Sequence, residues 1–177
     1  IAARVGVAYD IGMDSRKKHG EHIAPKNDND IIQDLTYVMI LKDYFKDMTI
    51  EKPKGYNPEI FYCSSESDQC KMGEKMNRTL WPKDSLLSYG RLPNGKVMIN
   101  WPINGNDYYV NAIEQTEEER QQSFEKAKLK SLQFLYYLQT ELGFNTYGLV
   151  DDEFPTDDGF PLIPYHRESR RIHGITT

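Results

Sequence analysis

Apolar residues keep a helical rhythm over one long stretch of the chain, from Thr116 to Gly143. There Phe124, Ala127, Leu135, Leu138 and Leu142 recur at helical spacing, and Leu132 and Tyr136 widen the stripe. Thr116 followed three residues later by Glu119 forms a capping box, Glu117 to Glu119 place negative charge in the first turn, and Gly143 supplies a stop. The pattern predicts one dominant helix from about 117 to 142, roughly 39 Å long at 1.5 Å per residue.

Elsewhere the period shortens. Leu35 to Tyr44, "LTYVMILKDY", is β-branched and apolar enough for a buried strand, and its continuous apolar centre predicts cover on both faces. "SYGRLPNGKVMINWP" predicts a hairpin turning at Pro93, Asn94 and Gly95. "GLVDDEFP" and "PLIPYHRESRRI" predict short strands or loops after the helix, and 52–81 reads as a long irregular excursion rich in Gly, Pro, Ser and charge. Strands and one long helix without regular alternation predict an α+β fold with a mixed or antiparallel sheet, in a single domain over 1–177.

Composition narrows the partners. The 177 residues are 38% hydrophobic and carry a formal net charge of -5, the wrong sign for neutralising phosphates, so bulk nucleic-acid binding is not expected. No apolar run is long enough for membrane insertion, and "IAARVGVAYD" lacks the zones of a signal peptide. It also lacks an initiator methionine, which suggests a processed product or an excised piece. Cys63 and Cys70 bracket "SSESDQ", a spacing that suits a disulfide or two thiols equally.

Few motifs carry chemistry. There is no G-x-G-x-x-G, P-loop, G-x-S-x-G elbow or H-E-x-x-H helix. His19 and His22 flank a glycine in a polar loop, and the five carboxylates of "DDEFPTDDG" miss the spacing of a calcium loop, so no metal site is assigned. "INWPINGNDYYVN" interleaves aromatic and amide side chains, and Trp101, Asn104, Tyr108 and Tyr109 are candidates for stacking and hydrogen-bonding a sugar. "PYHRESRRIHG" gathers three arginines and two histidines against one glutamate in an acidic chain. If it is extended, Tyr165, Arg167, Arg171 and His173 share one face, with Glu168 and Arg170 on the other. If it is helical, Arg167, Arg170 and Arg171 cluster. Either way the guanidinium forks suit a carboxylate or phosphate, whether a ligand's or that of the acidic turn upstream.

"YGLVDDEFPTDDGFPLIPYHRESRRIHG" resembles the signature segment of an FAD-dependent oxidoreductase family, often labelled xanthan lyase in gut bacteria, in which "WGL-x-x-DEF" leads into "Y-x-RE-[SA]-RR-[IM]-x-G". Tyr147 stands where the family commonly has Trp; Gly148, Leu149, Asp152, Glu153, Phe154, Tyr165, Arg167, Glu168, Arg170, Arg171 and Gly174 fit. "IAARVGVAYDIGMDSRKKHGEHIAP" is similar to the family's stretch after its glycine-rich turn, with Arg16 near the family's arginine and Gly20 and Glu21 matching its "YGE". "NWPINGNDYY" and "LQFLYYLQ" resemble its Asn- and Tyr-rich loop and long helix.

The resemblance implies a flavoprotein parent with FAD, of which this chain is the substrate-side middle region, inactive alone. Residues 160–177 then form the strand returning to a missing FAD-binding domain of the same chain. It implies Arg167, Arg171, His173 and Tyr165 as catalytic residues, Arg167 and Arg170 as cofactor contacts, and a small-molecule substrate with sugars among the candidates. A periplasmic or secreted location follows by the same resemblance. The competing reading is a non-enzymatic carbohydrate-binding module built on Trp101, Tyr108 and Tyr109.

Overall fold

The computed structural model describes residues 5–71, 79–167 and 171–173. In chain order the elements are β1 (Tyr9–Asp10), α1 (Arg16–His19), β2 (Leu35–Thr36), β3 (Met39–Asp43), α2 (Ser85–Ser88), β4 (Lys96–Ile99), β5 (Asp107–Tyr108), α3 (Glu117–Thr140), β6 (Tyr147–Leu149), β7 (Tyr165–His166) and β8 (Arg171–Ile172). The fold is α+β, with antiparallel strand pairs and one long helix. Residues 1–35, 109–123 and 166–177 belong to one compact unit and 36–108 and 124–165 to a second.

The second unit holds most of the core. Strand β3 lies between β4 and β6, antiparallel to both, with Leu41 opposite Val97 on one side and Leu149 on the other. Met39, Ile40 and Leu41 are all buried, so the continuous apolar run does have cover on both faces. The stretch read as one strand from Leu35 to Tyr44 is interrupted at Tyr37 and Val38, which separate β2 from β3. The expected turn at Pro93–Gly95 is present and Leu92 N–H donates to Lys96 O. Its upstream arm, however, reduces to an Arg91–Val97 bridge, and β4 takes β3 as its strand partner.

Helix α3 starts as its capping box requires: Glu119 N–H donates to Thr116 Oγ1 and Thr116 N–H donates to Glu119 Oε2. These bonds hold the Glu119 carboxyl below its ordinary pKa, led by the Thr116 backbone bond. From Ser131 to Gln139, seven of nine residues are buried, so the helix is wrapped rather than striped. Its buried polar groups are satisfied from several segments: Gln133 Nε2 donates to Lys54 O of the irregular excursion, and Gln139 Nε2 donates to Met48 O and Tyr147 O. The 52–81 segment, which carries a short 3-10 turn at Pro58–Ile60, is thereby fastened to the helix. Phe61, fully buried, packs its ring 5.3 Å from Phe134 and 5.4 Å from Tyr137. Cys63 and Cys70 are joined by a disulfide, which decides between the two states their spacing allowed.

Candidate functional site

The first unit draws the basic segment and the N-terminal segment together. Strand β8 pairs antiparallel with β1, setting Asp10 opposite Arg171 and Tyr9 opposite Ile172, and His173 N–H extends the ladder to Ala8 O. Gly12 then turns the chain with φ +73, where a Cβ would lie 1.9 Å from Asn29 O, so only glycine fits. That turn brings Asp14 back toward the strands. Short helix α1 follows, with Ser15 N–H donating to Asp28 Oδ1, a bond that holds the Asp28 carboxyl below its ordinary pKa, and with Gly20 as its left-handed C-cap.

The side chains so placed form a line of alternating charge. His173 Nε2 lies 3.0 Å from Asp10 Oδ1, Lys18 Nζ donates to Asp10 Oδ2 at 2.8 Å and to Asp14 Oδ1 at 3.0 Å, and Asp14 Oδ2 pairs with Arg171 Nη1. Hydrogen bonds from Lys18, then from His173, pull the Asp10 carboxyl down to about 2. The same bonds, from Asp10 and Asp14, raise Lys18. These residues line an open cleft of about 970 Å³, with Gly12, Glu21 and Ile23 among its other walls. Arg171 lines this cleft, and its Nε is buried without an acceptor among the described residues.

Arg167 goes elsewhere. It follows β7, its Nη1 donates to Asp34 O at 3.3 Å, and with His166 it lines a cavity of about 20 Å³ bounded by Ile32 and Ile113. That space is roughly one water's worth. The extended-face argument therefore fails for the group as a whole: β7 and β8 are separate strands, so Arg171 and His173 share the cleft while Arg167 does not. Tyr165 is exposed on β7. Arg170 and Glu168 lie outside the described residues. The acidic turn is met by lysines, Asp152 and Glu153 by Lys96 and Asp158 by Lys128.

The aromatic and amide candidates scatter likewise. Trp101 is 3% exposed, its indole N–H donates to Ser64 O at 2.7 Å, and Trp81 and Tyr89 pack against it edge-on. Its ring is thus enclosed by protein. Asn104 is exposed at a left-handed turn position, φ 48. Tyr108 is half-buried in β5, and exposed Tyr109 accepts from Ile32 N–H through its hydroxyl.

The sequence reading did not nominate Asp10, Asp14 or Lys18. The available signal was their fourfold spacing with opposite signs, which suits one helical face; the chain realises it across a strand, a glycine turn and one helical turn. As for cofactor fit, a dinucleotide pyrophosphate needs several uncommitted donors. Here the contacts of Lys18 and Arg171 Nη1 go to Asp10 and Asp14, and Glu21 adds a third carboxylate. The cleft does not suit that group; among the described residues Arg171 Nε is a buried donor without an acceptor, which suits a single acceptor.

No curated protein and no solved structure matches the chain. The family model described as FAD dependent oxidoreductase matches residues 1–177. On that match the chain belongs to the FAD dependent oxidoreductase family, a membership that implies FAD as the redox cofactor of the enzyme.

Proposed function

We propose that this chain supplies the substrate side of an FAD-dependent oxidoreductase, and that the cleft around Arg171 holds a small carbohydrate-related substrate carrying an anionic group. The observations that carry this reading are the place of Arg171 on the wall of a cleft of about 970 Å³ and its buried Nε, a donor with no acceptor among the described residues. A buried donor left unmade costs free energy that a ligand oxygen recovers on binding. FAD supplies the redox chemistry when bound, and its pyrophosphate is held by residues other than those of this cleft.

The chain's own residues then have distinct roles. Arg171 binds the anionic oxygen through Nε while Asp14 fixes its Nη1 edge, so the guanidinium is oriented before the ligand arrives. His173, steered by Asp10, holds or moves a proton at Nε2. Arg167 positions the segment through its bond to Asp34 O, away from the substrate.

Steady-state kinetics with D-glucuronate as probe and the flavin content measured in parallel tests this. Arg171→Gln raises KM about tenfold or more, the worth of one hydrogen bond to a charged group, with flavin content unchanged. Loss of flavin with an unchanged KM would overturn the assignment.

A further inference from the structure

The second unit contains another pocket, of about 330 Å³, at the lower end of the size range of small-ligand sites. One wall is the segment around α2. Its backbone is helical from Asp84 to Tyr89, and Asp84, Leu87, Ser88 and Arg91, at i, i+3, i+4 and i+7, all line the cavity. Gly90 holds this wall against β4: Met98 N–H donates to Gly90 O at 2.7 Å, and a Cβ on Gly90 would sit 2.1 Å from Met98 O. The facing wall is Lys96 and Val97 of β4 with Tyr147 of β6.

The charges in the pocket are unevenly committed. Lys96 is held between Asp152 and Glu153 at 2.7 and 2.8 Å. Asp84 stands at the N-cap of α2 without capping it, and neither its carboxylate nor the Arg91 guanidinium makes a hydrogen bond or ion pair with any described residue, including each other. Asp84 precedes α2 and Arg91 follows it, in a bridge to Val97, and both line the cavity. An uncommitted acid and an uncommitted base therefore line one cavity together with Leu87, Leu92, Val97 and Tyr147.

We infer that this pocket binds a small apolar zwitterion, an α-amino acid with a branched or aromatic side chain, whose carboxylate meets Arg91 and whose ammonium meets Asp84. The apolar side chain takes the surface of Leu87, Leu92, Val97 and Tyr147. A dianion would meet Asp84 as a like charge, and a neutral apolar ligand would gain neither charge-assisted contact.

Isothermal titration of the full chain with L-leucine, and with 4-methylpentanoate and isopentylamine as analogues lacking one charge, tests the assignment. L-leucine binds at one site; each analogue binds about tenfold more weakly or worse, and Arg91→Gln and Asp84→Asn each weaken L-leucine by a similar factor. Both side chains are exposed, so circular dichroism of the variants matches that of the parent. Absence of saturable L-leucine binding overturns the inference, as does 4-methylpentanoate binding as tightly as L-leucine, which would make this a simple carboxylate site. The pocket belongs to the unit that does not contain the Arg171 cleft, so failure here leaves the oxidoreductase reading untouched.

Discussion

The core around α3 and the Arg171 cleft are built from different forces. Around α3, Phe61, Phe134, Leu135 and Leu138 have at most 1% of their surface in water, and Asn106, also fully buried, receives the Trp101 N–H and donates to Tyr37 O and Ile99 O. In the cleft the strands are two residues long, and Lys18 and Asp10 keep 46% and 36% of their side-chain surface exposed. Buried contacts resist salt and pH and tolerate little change; exposed ion pairs hold geometry weakly but leave charges within reach of a ligand. The comparison teaches that one part of the chain is held by enclosed contacts and the other by exposed charge pairs.

Substitutions in the core break that contrast most visibly. Phe61→Ala costs about 3–5 kcal/mol in urea denaturation, because transfer and cavity terms add at a fully enclosed ring. Asn106→Ala costs roughly 1–3 kcal/mol by the same measurement, since it leaves the Trp101 N–H buried without its acceptor and takes a donor from Ile99 O and from Tyr37 O, which keeps Ser131 Oγ. Opening the Cys63–Cys70 loop with the double serine variant costs roughly 2.5 kcal/mol by loop-closure entropy for so short a loop, seen as a lower urea midpoint than the oxidised parent.

Titration sharpens the comparison with smaller effects. Burial holds Lys130 at about 8, below its ordinary 10.5, over the ring of Phe61 at 4.3 Å. The folded state therefore gives up this proton first, and stability rises as pH climbs from about 8 to 10.5. Lys130→Met removes that rise in denaturation midpoints measured across the range. Asp10 has the opposite sign. Its carboxyl at about 2 contributes stability above the ordinary value of 3.8 that is lost as pH falls through about 2. Lys18→Met removes the larger cause, so it flattens the acid limb and lowers the neutral-pH urea midpoint by the same small amount, that of an exposed ion pair.

How legible each part was in the sequence follows from the same difference. The helix announced itself because capping, charge and periodicity agreed over many residues, and the apolar run of β3 required cover on both faces wherever its partners lay. The pairing of β4 with β3 was not legible, because the local turn at Pro93–Gly95 advertised a hairpin and register with a distant strand leaves no local mark. In the cleft, Arg171 and His173 were visible as a dense basic run. Their partners Asp10 and Asp14 lie more than 150 positions away, joined by a ladder of two residue pairs that has no periodicity to read. Trp101 was the reverse case: a Trp among Asn, Gly and Pro has the composition of a surface loop, yet Asn106 and Ser64 satisfy its donors in the interior.

The central claim is that Arg171 Nε is a donor waiting for a ligand oxygen in the cleft. The direct measurement is the ¹⁵N–¹H resonance of that Nε–H during titration with D-glucuronate, with D-glucose as the uncharged control. The account predicts a saturable shift with D-glucuronate that D-glucose does not reproduce and that Asp14→Asn weakens. A resonance unmoved by D-glucuronate, or moved equally by D-glucose, would contradict it.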